Sequence, residues 1–446
     1  MPLRAILLLS FFVASLPVCF MRPFYGILLW EVVAFLNPQS YIWTTDTFPW
    51  ALAIAAPTMA GALLFFRGYG ALNRPESYLI LMLWAWFTIT TVVSINNPLF
   101  FHHAVDTQNQ WRFVSKILLM SMFTLVIVDS FERLRTLLIV MSGCFGFYVL
   151  KDVPFIIRTG GAFRLYGPDH SMIADNNDFG LALNMTLPIF FFLAQTESKR
   201  WVRWFYVFVG VVTIPAIFFT YSRGALVGLI VVMTAMFLRS KQRLILAPVI
   251  VVAVLGAVMF APATWKDRMD PTRPDAVDTS AKARLNSWAF ARSLASDYPI
   301  TGGGFASFTP ELFGRYAPNA NDIHGPHSVY FQLLAEHGFT GLSLYLVLVG
   351  YCFLTMFRLL RQARFYEDRL IANYTHMLRF SLLGFLTSGV FLGRAYFDYF
   401  FAIVACVAVL AKVANDKWAA QRIDAEADEG GEAVDDMQSG VVLWDS

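Results

Sequence analysis

Apolar runs long enough to cross a lipid bilayer recur along almost the whole chain, separated by short polar breaks, and no other feature narrows the possible folds as far. A hydrocarbon core about 30 Å thick takes about 20 apolar residues to cross as a helix. Helices are favoured there because they satisfy every backbone group internally, without water. Composition agrees, with 57% of the 446 residues hydrophobic and 15% charged, where a soluble globular chain carries roughly 25%. Outer-membrane barrels also close their backbone bonds, but they alternate over segments of about ten residues, and runs such as 205–220 and 246–260 do not alternate. The expected fold class is an all-α polytopic membrane protein.

Thirteen runs can be drawn, near 2–20, 24–37, 50–66, 77–95, 113–129, 134–150, 178–196, 202–220, 223–238, 244–261, 339–357, 371–392 and 395–413. The second is short for a crossing, so about twelve transmembrane helices are expected, an even number that would bring both termini to one side. No small-residue cleavage site follows the first run, and residues 1–37 read as a retained hairpin. Cys19, Cys144, Cys352 and Cys406 all fall in apolar runs, where they act as small hydrophobes rather than a disulfide framework. The net charge of +3 gives no reason to expect nucleic acid.

Cations recur at every second connection: Arg67 and Arg74; Arg133 and Arg135; Lys199, Arg200 and Arg203; Arg239, Lys241 and Arg243; Arg358, Arg361, Arg364 and Arg369. The positive-inside rule makes these cytoplasmic. The connections 38–49, 96–112, 151–177, 221–223 and 262–338 are then external. The last is far too long for a turn and too polar for a span, and connections of that length usually exist for function. The expected organisation is N-terminal transmembrane helices over 1–261, a long periplasmic loop over 262–338, C-terminal transmembrane helices over 339–413 and an acidic cytoplasmic tail over 414–446. Within the loop, 280–296 and 327–337 pattern as short helices, whereas the tail from 424 lacks an apolar pattern and is expected to be disordered.

The external face gathers the residues that could carry chemistry. Arg223 follows Tyr221-Ser222, Arg284 opens Arg-Leu-Asn-Ser-Trp, Gly302–Gly304 form a glycine run, and His324 and His327 stand close together. Arginines suit phosphate oxygens because the guanidinium fork is planar and permanently charged. A histidine can take a proton from a hydroxyl near neutral pH. Each residue also has a plainer role. Arg223 could be an interfacial anchor, Arg284 a solvated charge on a helix face, and His324, His327 and His337 structural histidines. Gly302–Gly304 lack the Lys-Ser/Thr context of a phosphate loop and read as a turn. Asp169, His170 and Asp175 could hold a cation in principle, but their spacing fits no recognised metal pattern, and a helix cap is the better reading. His376 and Arg379 fall inside a drawn span, and a later helix start would leave both near the cytoplasmic face.

Three pieces together resemble a known family: Tyr221-Ser222-Arg223-Gly224 opening a span; Arg284 and Trp288 followed by Tyr298-Pro299-Ile300-Thr301-Gly302-Gly303-Gly304; and His327-Ser328, then nine residues, then Gly338-Phe339-Thr340-Gly341. This pattern resembles the O-antigen ligase and polymerase group of bacterial membrane glycosyltransferases, which have a GT-C-like helical architecture. The N-terminal half resembles the branch encoded alongside exosortase systems. The resemblance implies transfer of polysaccharide from undecaprenyl diphosphate to the lipid A core at the periplasmic face of the inner membrane, with no metal and no other cofactor. It implies His327 as general base on the acceptor hydroxyl and Arg223 and Arg284 as diphosphate ligands. Arg164, Arg315 and His324 are second-tier candidates for diphosphate contacts. Ser328 departs from the Asn common at that position, and the acceptor stays open: a repeat unit, as in a polymerase, or a protein hydroxyl fits the same motif. A lipid or solute transporter would instead need ionisable groups near the midplane of broken helices.

Overall fold

The computed structural model describes residues 3–41, 49–65, 70–161, 163–239, 265 and 274–439. All its regular elements are helical. They are α1 (Leu3–Met21), α2 (Pro23–Glu31, continued by a π turn to Leu36), α3 (Trp50–Phe65), α4 (Pro75–Ile95), α5 (Ala104–Ile127), α6 (Phe131–Arg158), α7 (Asn176–Thr196), α8 (Arg200–Phe219), α9 (Arg223–Arg239), α10 (Pro274–Asp297), α11 (Pro310–Tyr316), α12 (Val329–Phe365), α13 (Arg369–Ser388) and α14 (Asp398–Ser439). Eight of these are long and apolar enough to cross a membrane: α1, α4, α5, α6, α7, α8, α12 and the first part of α14. The stretches Pro23–Leu36 and Trp50–Phe65 are apolar but shorter. Twelve of the thirteen apolar runs coincide with described helices, and 244–261 lies outside the described residues.

α7 is the centre of the bundle, with 17 of its 21 residues buried, and it packs against α8, α9 and α13. α14 is buried over most of its apolar part and touches α4, α5, α6, α12 and α13. Phenylalanine and tyrosine rings fill the space between them, such as Phe145 stacked on Tyr399 at 4.8 Å. Close ring packing of this kind substitutes for the hydrophobic effect, which cannot drive helices together in lipid.

The connections sort into two sets at opposite ends. At one end the backbone of Ala71 bonds Leu125, Arg135 pairs with Glu197 at 2.5 Å, and Lys417 pairs with Asp368 at 2.6 Å. His376 lies there among Arg239, Arg364 and Arg379. At the other end Asn37 donates to the Asp169 carbonyl, Leu165 N to Phe219, and Ser94 to Gly303. This is the alternation read from the cations, with the described cation-rich connections of that reading at the first end.

Several expectations need correction. α1 and α3 run side by side in the same direction, with Phe12 on Trp50 and Phe20 on Phe65, and Phe24, just past the end of α1, lies under the Arg133 guanidinium at the cation-rich end. α1 and α14 therefore both run toward that end, so the two chain ends are not brought to one side. α13 begins at Arg369, which puts His376 and Arg379 inside the helix rather than ahead of it. The acidic tail is helical to Ser439. Its alanines, glutamates and glutamines have high helix propensity even without an apolar face.

Candidate active site

Arg223 is the first residue of α9, and a tight turn aims it. Tyr221 sits at φ 56°, in the left-handed region that costs a bulky residue about 1–3 kcal/mol. Its hydroxyl donates to the Gly161 carbonyl at 2.5 Å. Ser222 then caps the helix, its Oγ accepting from Ala225 N at 3.2 Å. Arg164 lies over the Tyr221 ring, 5.8 Å from its centre, so this second-tier candidate stands beside the Arg223 turn. The α9 N-terminus adds positive potential at the same place.

Arg284 comes from α10, and the residues after it fix its position. Asn286 Nδ2 donates to the carbonyls of Asn319 and Asp322, each at 2.9 Å, and its Oδ1 accepts from Asn319 N at 2.9 Å. Ser287 donates to the His324 carbonyl at 3.2 Å and Trp288 Nε1 to the Pro326 carbonyl at 3.1 Å. Three consecutive side chains thus clamp the segment that ends in His327. Arg284 lies one turn before Trp288, on the face that meets that segment.

His327 is half-buried and sits at φ 43°, again left-handed. Burial pushes its pKa below the ordinary 6.5, and the charges of Arg284, His324 and Arg394 push the same way against Asp175. The imidazole is therefore held neutral, the form that accepts a proton. Arg284 is itself lowered, first by burial and then by Arg223, but a guanidinium stays charged in a protein. Arg223, Arg284 and His327 belong to one electrostatic cluster.

The other candidates play different parts, although His324 and Asp175 also act on His327. His324 is exposed and pairs with Asp322 at 3.0 Å. Arg315 is exposed on α11 along the Tyr316 ring and is not among the described charges acting on His327. His337 is fully buried, stacked 4.2 Å from Phe87 and bonded to Thr90 at 2.7 Å, a structural histidine. Asp175 caps α7 through Asn177 N at 2.9 Å, and among the described residues no three His, Cys, Asp or Glu side chains are placed to hold a metal.

The glycines of the motif are structural. Gly338 breaks α12 at φ 67°, and the turn 298–304 fits into the break. Gly303 N and Gly304 N bond Ala335 and Glu336 at 2.8 and 2.9 Å, and Phe339 N bonds Pro299 at 2.8 Å. A methyl on Gly302 would come 2.5 Å from the Ala335 carbonyl oxygen, and one on Gly338 as close to that of Ile300.

Sequence reasoning missed Arg394. It lies in the connection between α13 and α14, pairs with Asp178 at 2.5 Å and acts on His327. An arginine between two apolar runs on the external side was the available signal.

Residues 3–198 match a family of unknown function, and residues 208–346 match the O-antigen ligase family. No curated protein matches the chain. The segment that supplies Arg223, Arg284 and His327 is the one that matches the O-antigen ligase family, which supports the kinship read from its motifs.

Proposed function

We propose that this protein is a ligase that moves polysaccharide from undecaprenyl diphosphate onto a sugar hydroxyl of the lipid A core, at the periplasmic face of the inner membrane. The observation that carries this reading is the electrostatic coupling of Arg223 to Arg284 and of Arg284 to His327, a histidine whose pKa its surroundings lower. In the reaction the acceptor oxygen bonds to the anomeric carbon of the donor sugar while the bond from that carbon to the diphosphate oxygen breaks. The hydroxyl proton passes to His327, and undecaprenyl diphosphate leaves with its charge met by Arg223 and Arg284. Attack opposite the leaving group inverts the anomeric configuration. Such charge stabilisation is strongest where donors are already in place before the charge develops, and the Asn286, Ser287 and Trp288 clamp supplies that preorganisation. Arg164, beside Tyr221, extends the cationic wall.

The test is transfer by purified protein from the undecaprenyl diphosphate-linked polysaccharide to lipid A core in the presence of a chelator. Loss of the base in His327→Ala is expected to cost on the order of 10² to 10⁴ in rate, with Arg284→Ala also impaired. Unimpaired variants would remove the site assignment. Product only with a second lipid-linked repeat unit as acceptor would make the protein a polymerase, and no product from any lipid-linked donor would overturn the transferase reading.

A further inference from the structure

We propose that Arg394, anchored by Asp178, is a third guanidinium of the diphosphate site. The inference rests on the donor being a polyprenyl diphosphate. Arg394 lies outside both segments matched to known families, so its place must be argued from contacts.

The connection between α13 and α14 is stitched to the His327 segment on both sides of Arg394. Val329 N bonds the Gly389 carbonyl at 2.8 Å, Ala395 N bonds Gln332 Oε1 at 3.1 Å, and the Tyr396 hydroxyl donates to the buried Glu336 carboxylate. Gly393 lies directly on the His327 turn: a methyl there would come 2.8 Å from Pro326 Cγ and 3.1 Å from His327 N. On the opposite side a methyl on Gly224, the residue after Arg223, would come 3.0 Å from the Phe391 side chain. The backbone carrying Arg394 is thus wedged between the turn that presents Arg223 and the turn that presents His327.

The guanidinium itself is only partly used. Its Nη2 pairs with Asp178 Oδ2 at 2.5 Å, and Asp178 lies nearly buried in the first turn of α7. About a third of the Arg394 side chain, 34%, is exposed, and its Nε has no acceptor among the described residues. A side chain needed only to neutralise Asp178 would not leave donors unused next to a general base. The chemistry supplies a use for them. A diphosphate diester gains a negative charge when the sugar departs, and a fixed guanidinium beside the two others meets that charge as it forms. Asp178 holds the fork in place, which limits the rotamer entropy lost on binding.

The direct test is binding of farnesyl diphosphate and farnesyl monophosphate to the purified protein in detergent. The parent is expected to prefer the diphosphate, and Arg394→Gln to lose about 10- to 100-fold of diphosphate affinity, the size of one charged hydrogen bond. The monophosphate is expected to lose less, a difference that general loosening of the fold would not produce. Diphosphate binding by Arg394→Gln within about two-fold of the parent would overturn the proposal. Should that variant fail to fold, Arg394→Lys decides: a loss of about five-fold or more supports the bidentate contact, and parental affinity overturns it. A parent that binds neither probe, or that binds both equally, would remove the diphosphate donor itself, and Arg394's role with it.

Discussion

At the residue scale the decisive quantity is the protonation of His327. Burial and the nearby guanidiniums lower its pKa from 6.5, so the neutral base persists into mildly acidic solution. With His327 as the proposed base, protonation removes the lone pair that would take the acceptor proton, and activity is expected to be lost as pH falls through that lowered value. The acid limb of kcat/KM is therefore expected to have its midpoint below 6.5. Arg284→Gln removes a repelling charge, so its residual activity is expected to show that midpoint moved upward, toward the ordinary histidine value. A parental midpoint at or above 6.5 would argue against His327 as the base. Arg223, Arg284 and His327 could be singled out in the sequence because cations and a histidine at one membrane face suggest an anionic, lipid-linked substrate and because their motifs resemble those of the ligases; taken singly, each also had a plainer role. Arg394 was not singled out, because the drawn runs 371–392 and 395–413 left it in a gap of two residues. The structure ends α13 at Ser388 and opens the nine-residue connection 389–397 around it.

At the scale of elements, the described part of the long polar connection is built as a clamp and a wedge. The clamp is α10, and its centre is Asn286, whose amide makes three hydrogen bonds to the 319–322 segment. Asn286→Ala would leave those backbone groups without partners, at about 1–3 kcal/mol each where buried. It is expected to slow transfer more than it lowers the melting temperature, and to speed proteolysis between 317 and 328. Parental cleavage rates would show that the clamp is not what orders this segment. The wedge is the 298–304 turn seated in the Gly338 break. Gly338→Ala meets both a positive φ and a carbonyl oxygen 2.5 Å away, so a loss of about 2 kcal/mol or more is expected in thermal unfolding. Period and turn residues made α10, the start of α12 and the glycine turn readable. α11 escaped because seven residues are too few for a periodicity, although Thr309-Pro310-Glu311 is a helix start and Thr309 does cap it. The tail was misread for the opposite reason: absence of an apolar face says nothing about propensity, and the helix continues to Ser439.

At the scale of the whole molecule, the proposed site draws on segments of different kinship. The segment matched to a family of unknown function supplies Asp175, Asp178 and Arg164, the ligase segment supplies Arg223, Arg284 and His327, and Arg394 follows both. All of them open on the end of the bundle away from the cation-rich connections. If lysines and arginines mark the cytoplasm, the site faces outward, where a finished polysaccharide and its acceptor would meet. The native cysteines make this testable, since Cys19, Cys144, Cys352 and Cys406 are all buried and give little background. Gly314 is exposed on α11 with nothing near the position of an added side chain, and Arg361 is exposed near the far end of α12. In whole cells with a permeabilised outer membrane, a membrane-impermeant maleimide is expected to label Gly314→Cys and to leave Arg361→Cys untouched until the cells are lysed. The reverse pattern would turn the bundle over and put His327 in the cytoplasm. The cation distribution would then need another cause, and a reaction in the periplasm would be excluded.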